Sequence, residues 1–235
     1  MKIKFAIVLL ILLTTCAPAR PVTPSPVPTA IAPPPSTVAF TAIPTFTPAP
    51  IPTTTPQFQL GNDGKTVVYD FAAHLCEANW MTGVKKDLPC PGDLNNPSLG
   101  YVGLLSGTDQ GLAPDFPLVL TFPAYDASSG RGLFGRFPKF QVGPNDEFRT
   151  AFTCRSGFRC EVEFTLGYYD ANGKYYEPFP LNYYRFGVEP PINYVQPLNS
   201  LSGQTVELVL VVRAMYQSDP TLAWGLWIAP RILRP

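Results

Sequence analysis

The sequence predicts an all-β fold: a two-sheet antiparallel sandwich or jelly roll with one short helix, preceded by a disordered Pro/Thr-rich linker. Three observations predict it. Apolar and aromatic runs recur at even spacing, separated by Gly, Asn, Asp and Ser turns rather than by helical patterns. One run, Cys160, Val162, Phe164 and Leu166, alternates with Glu161, Glu163, Thr165 and Gly167, the period-two signature of a strand that buries one face. Cys76, Cys90, Cys154 and Cys160 form an even set, which suits a disulfide-stapled exported domain.

Lys2 and Lys4 precede the apolar run from Phe5 to Leu13, the arrangement of an export signal over residues 1–15. That run is too short to span a bilayer, which takes about 20 apolar residues. Leu13-Thr14-Thr15-Cys16 resembles the lipobox of bacterial lipoproteins, which implies a lipidated Cys16 as the mature N-terminus. Membrane attachment is therefore expected through the lipid anchor only, in the cell envelope and facing outside the cytoplasm. Residues 16–57 are almost entirely Pro, Thr, Ala, Ser, Val and Ile, with Arg20 the only charge. Such a segment favours extended polyproline II over any packed structure and reads as a disordered stalk.

Residues 58–235 are long enough to bury a core and form one domain. Asp70 is placed to cap a helix running to about Met81, with Phe71, Leu75 and Ala78 at helical spacing. Strands are expected over 118–122, 132–142, 147–154, 159–169, 175–186, 206–215 and 222–233. The turns between them include Gly143-Pro144-Asn145-Asp146 and Asp170-Ala171-Asn172-Gly173. Val206 to Val212 is apolar at nearly every position, as in a central strand covered on both sides. Four cysteines allow three connectivities, and the short separations favour Cys76 with Cys90 and Cys154 with Cys160. Closing those loops contributes about 3 and about 2 kcal/mol in the chain-entropy model.

The segment Leu198-Asn199-Ser200-Leu201-Ser202-Gly203-Gln204-Thr205-Val206-Glu207-Leu208, followed by Trp227-Ile228-Ala229-Pro230-Arg231-Ile232, resembles the last two strands of jelly-roll modules. It is similar to the NPCBM type of carbohydrate-binding module. That resemblance implies the fold and a carbohydrate ligand.

Acidic and basic residues balance at zero net charge, with no basic patch, so nucleic acid is not an expected partner. No GxSxG elbow or HExxH occurs, and no cysteine is left over as a thiol nucleophile. His74, the only histidine, lies outside metal-site spacing, and no metal or cofactor is expected. Glu161 and Glu163 share a strand face and give the one glycosidase-like pair, but the same pattern marks any solvated strand face. Asp146 and Glu147 are consecutive and point to opposite faces. No catalytic residue is assigned. The distinctive cluster is Tyr168, Tyr169, Tyr175, Tyr176, Tyr183, Tyr184 and Phe186, around the Asn172-Gly173 turn. On a strand, each adjacent pair sends one ring inward and one outward. The expected ligand-binding rings are Tyr169, Tyr176, Tyr184 and an exposed Trp224, while Trp80 and Trp227 belong to the core. A monomeric, surface-displayed, non-catalytic carbohydrate-binding module is the expected function. An envelope protein-interaction lipoprotein, and after it a glycoside hydrolase, are the alternatives.

Overall fold

A computed structural model describes residues 60–83, 85–112, 116–124, 132–156, 160–185, 190–215 and 223–235. The segments expected to be export signal and stalk, with Cys16, lie outside these. Among the described residues the strands are β1 (Thr66–Asp70), β2 (Asn79–Thr82), β3 (Tyr101–Leu105), β4 (Leu118–Phe122), β5 (Gly132–Gln141) and β6 (Glu147–Cys154). They continue with β7 (Glu161–Tyr169), β8 (Tyr175–Arg185), β9 (Ile192–Pro197), β10 (Thr205–Ala214) and β11 (Gly225–Arg234). A six-stranded sheet runs β3-β4-β11-β6-β9, with β1 also paired to β11, and a five-stranded sheet runs β2-β5-β10-β7-β8. Every pairing is antiparallel.

The two sheets meet through aromatic side chains. Phe164 of β7 stacks on Phe152 of β6 at 4.8 Å and takes Trp227 of β11 edge-on at 4.9 Å. Phe71 meets Phe137 edge-on at 4.7 Å. These rings are all fully buried, and edge-to-face pairs of this kind add to the area term that drives sheet packing. Gly225 admits the contact: a Cβ there would sit 3.0 Å from the Phe164 ring. The alternation along β7 holds, with Val162, Phe164 and Leu166 in the core. β10 is the centre of its sheet, covered on both sides as its sequence requires.

Both expected disulfides are present. Cys154–Cys160 joins the end of β6 to the start of β7, and so staples one sheet to the other. Cys76–Cys90 ties the turn before β2 to the loop after it.

The expected helix over 70–81 is absent. Asp70 caps no helix: its Oδ1 accepts from the amides of Ala72 (2.9 Å) and Ala73 (3.2 Å) in the turn that follows β1, and the single turn of 3-10 helix, Leu75–Glu77, starts later with His74 at its N-cap. Ala78 is extended, and β2 pairs with β5 to bury Trp80 and Thr82. Cross-strand pairing there outweighs the helical spacing, since propensity is a weak prior against tertiary burial. Trp80 still packs beneath the Cys76 turn, its Nε1 donating to Leu75 O at 2.7 Å. Strands β1, β2, β3 and β9 were not among the expected ones.

Two buried arginines fix the entry into the domain. Arg149 donates to Gly61 O and pairs with Asp63 and Glu147. Arg231 collects the carbonyls of Leu60, Gly61 and Ala229 and the Asn62 side chain. Asp146, wholly buried, accepts from the Gly143 amide and from Arg234, so it closes the turn before β6, while Glu147 faces Lys65 and Arg149. The two adjacent carboxylates serve different partners because Asp146 belongs to the turn and Glu147 opens β6.

Candidate functional site

The register of the five-stranded sheet divides its side chains into two faces. Val206, Leu208, Leu210 and Val212 of β10 enter the core, which leaves Glu207, Val209, Val211 and Arg213 on the outer face. Directly opposed residues share a face, so Phe134 and Arg136 of β5 and Glu163, Thr165, Gly167 and Tyr169 of β7 stand with them. β8 adds Tyr175, opposite Tyr169.

These side chains interlock across four strands. The Arg136 guanidinium lies over the Tyr169 ring at 4.1 Å and pairs with Glu207. Tyr169 meets Tyr175 with ring centroids 4.9 Å apart and planes tilted by 40°. The Tyr175 ring extends over Gly167, where a Cβ would stand 2.6 Å from its hydroxyl. Its hydroxyl donates to Glu177, which also holds Arg213. Arg213 has Glu163 at 3.8 Å and lies over Phe134 at 5.4 Å. Val209 and Val211 stand between these groups and are 1% and 0% exposed. The outer face is thus a layer of tyrosine rings and ion-paired guanidiniums laid across a valine floor.

Burial by itself pushes the Arg213 guanidinium down, and the hydrogen bond and charge of Glu177, with Glu163, more than reverse this and hold it a firm cation. Burial, then the hydrogen bond to Glu177, pushes the Tyr175 phenol well above its ordinary range, so it stays a neutral hydrogen-bond donor.

Of the expected binding residues, Tyr169 lies on this face. Tyr176 does not: it lies opposite Tyr168 on the inward side and stacks on it at 5.1 Å, with Lys174 over its ring. The turn supplies the reason. A two-residue Asn172-Gly173 loop would pair Tyr169 with Tyr176, but the loop has three residues, closed by Asp170 N to Lys174 O at 3.0 Å. Asp170 Oδ1 accepts from the amides of Asn172 and Lys174, and Gly173 takes the left-handed φ of +75° that this loop needs. The centre of the hairpin moves by half a residue, and Tyr175 replaces Tyr176. Tyr184 is opposite the inward Val162 in the register, and its side chain lies outside the described ones.

Trp224 is also corrected. Rather than exposed, it is 7% accessible, packed at 4.3 Å on Phe122 and at 5.8 Å on Tyr101, with Arg155 at 5.3 Å. Trp80 and Trp227 are core, as expected. His74 stacks on Tyr69 at 4.9 Å and meets Glu77 Oε1 at 2.8 Å. Glu161 and Glu163 do share the outer face, but Glu163 is engaged with Arg213. Among the described residues no group of three or more His, Cys, Asp or Glu is placed to hold a metal, and no helix is long and apolar enough to cross a membrane.

No protein-family model matches the chain, and no curated protein sequence does. Among solved structures it is similar to a xylan-binding domain of carbohydrate-binding module family 22, at 12% identity and TM-score 0.42, over 73% of this chain and 95% of that one. It is similar to a family 22 module with its family 10 catalytic module from the Clostridium thermocellum xylanase 10B, complexed with xylohexaose. That match has 11% identity and TM-score 0.40, over 72% of this chain and only 28% of that one. A family 22 xylan-binding domain from Paenibacillus barcinonensis matches at 10% identity and TM-score 0.38, over 66% and 85%.

Proposed function

We propose that the domain binds a neutral carbohydrate chain, without turning it over, on the outer face of the five-stranded sheet. The observation that carries this is the layer formed by Arg136, Tyr169, Tyr175, Glu177 and Arg213. Sugar rings present flat C–H faces that pack on aromatic side chains while their hydroxyls exchange hydrogen bonds with charged and phenolic groups. Among the described side chains of this face, the guanidiniums of Arg136 and Arg213 are each paired with a carboxylate, so they offer directional hydrogen bonds rather than free charge, which favours an uncharged ligand over a polyanion. Packing of a sugar on Tyr169 and Tyr175 calls for no metal or nucleophile.

A glycan array on the soluble domain tests the proposal. Tyr169→Ala should weaken the best hit several-fold, the scale of roughly 0.5–1.5 kcal/mol expected from one stacking contact. No glycan bound, with an envelope protein captured through the same face, would move the reading to a protein-interaction module. Turnover of a glycan that vanishes in Glu163→Gln would make the domain an enzyme.

The same proposal includes display. A lipid on Cys16 would hold the chain in the envelope, and the Pro/Thr-rich segment would carry the binding domain away from the bilayer. Cys16→Ser should then release the protein from the membrane fraction, and unchanged fractionation would remove the anchor from the account.

A further inference from the structure

Asp70 and Arg231 are directly opposed in the antiparallel pairing of β1 with β11, the placement in which opposite charges usually close on one another. Here they do not. Arg231 is turned toward carbonyl oxygens: Nε donates to Asn62 Oδ1 at 2.9 Å, Nη1 to Ala229 O at 3.0 Å, and Nη2 to Leu60 O and Gly61 O at 2.8 and 3.2 Å. Asp70 commits its Oδ1 to the amides of Ala72 and Ala73 instead. Between them opens a cavity of about 240 Å³, lined by Leu60, Asn62, Val67, Asp70, Phe116, Pro117, Ala229 and Arg231.

We propose that this cavity, distinct from the tyrosine face, is a second binding site that takes a single neutral sugar unit. The donor inventory selects the ligand class. A guanidinium has five N–H groups, and four of Arg231's are engaged, so it offers one donor and not the fork that grips a carboxylate or phosphate. Among the described residues, Asn62 Nδ2 has no partner and supplies a second donor, and Asp70 Oδ2 supplies an acceptor. Two donors, one acceptor and the apolar wall of Phe116, Pro117 and Val67 match the hydroxyls and C–H face of a pyranose. The volume sets the size: it falls below the roughly 300–1,000 Å³ of sites for drug-sized molecules and holds about eight waters at ~30 Å³ each. That volume accommodates one sugar ring.

The test is titration of the protein with D-glucose, D-galactose and D-xylose, each to about 50 mM, well above a millimolar dissociation constant, followed by amide NMR shifts. At least one sugar should give saturable shifts at Asn62, Asp70, Ala229 and Arg231. Val67→Phe fills the cavity from an exposed position without removing a polar partner, and should weaken those shifts roughly tenfold or more while amides elsewhere stay in place. Tyr169→Ala should leave them unchanged, which separates this site from the tyrosine face. Absence of shifts for all three sugars, sugar shifts that survive Val67→Phe, or shifts from sodium acetate or glycine in place of the sugars would each overturn the proposal.

Discussion

Gly135 and Gly167 of the five-stranded sheet lie under aromatic rings on opposite faces, and replacing them should separate folding from binding. Gly135 of β5 faces the core. A Cβ there would stand 2.4, 2.5 and 2.7 Å from three carbons of the Trp80 ring, where ordinary contacts are about 3.5–4.0 Å, so the ring must retreat by about 1 Å. It has nowhere to go: Trp80 is 1% exposed, edge-on to Phe137 at 5.9 Å and held by its bond to Leu75 O. Overpacking costs about 1–3 kcal/mol and loss of the buried indole hydrogen bond about 1–3 more, offset by about 0.5–1 from replacing glycine within a strand. Gly135→Ala should therefore lose about 2–4 kcal/mol, which at this size lowers Tm by roughly 5–15 °C. Gly167→Ala meets Tyr175 at similar distances, but that ring is half-buried at the sheet surface and swings away. It should lose about 1 kcal/mol or less, a Tm drop of about 2–4 °C, while glycan affinity falls several-fold. Calorimetry and binding isotherms on both variants decide the matter. An unchanged Tm for Gly135→Ala would show that Trp80 does not lie on β5. A large stability loss with intact binding in Gly167→Ala would show that Tyr175 is structural and outside the binding face.

Two further expectations concern pH. Burial would raise the Glu147 carboxyl, but hydrogen bonds from Lys65 and Arg149 outweigh it and hold the group below its ordinary value of 4.5. A carboxyl depressed in the folded state stabilises above its unfolded value and loses that contribution as pH falls through the folded one. Glu147→Gln should thus lower Tm at neutral pH and flatten the decline below about pH 4.5; an unchanged acid limb would count against it. Burial, then the Glu77 charge, pushes the Tyr69 phenol up to about 12, and among the described residues its hydroxyl has no hydrogen-bond partner. Its contribution is complete below about pH 10 and is lost as pH rises through about 12. Tyr69→Phe should leave neutral-pH stability equal or higher and remove this part of the alkaline loss in pH-dependent melts, and a clear loss at pH 7 would refute it.

Much of the fold was legible because period-two patterning is a strong signal. β4 and β6 fall on their expected bounds, and β5, β7, β8, β10 and β11 differ at their ends. The missed strands lack that signal. β2 has four residues, three of them polar or amphipathic, and becomes a strand only because β5 offers an edge that buries Trp80. β9 alternates between exposed and half-buried positions around Pro191 and Pro197, and exists through its pairing with β6. In the site, strand alternation placed Tyr169 outward but could not supply the hairpin register. The Asp170 side chain sets that register by bonding Asn172 and Lys174, and Asp170 followed by Gly173 was the available clue. Arg136, Glu207 and Arg213 reach the tyrosines from strands distant in sequence, and only the assembled sheet brings them together.

The central claim is that a glycan lies on the tyrosine face of the five-stranded sheet. Amide NMR of the protein titrated with the best polysaccharide from the array tests it most directly. The largest shifts should fall along β5, β7, β8 and β10 at Arg136, Tyr169, Tyr175, Glu207 and Arg213, with several-fold weaker binding in Tyr169→Ala and an unchanged fold. Shifts confined to the six-stranded sheet, or affinity untouched by Tyr169→Ala and Tyr175→Ala together, would contradict it.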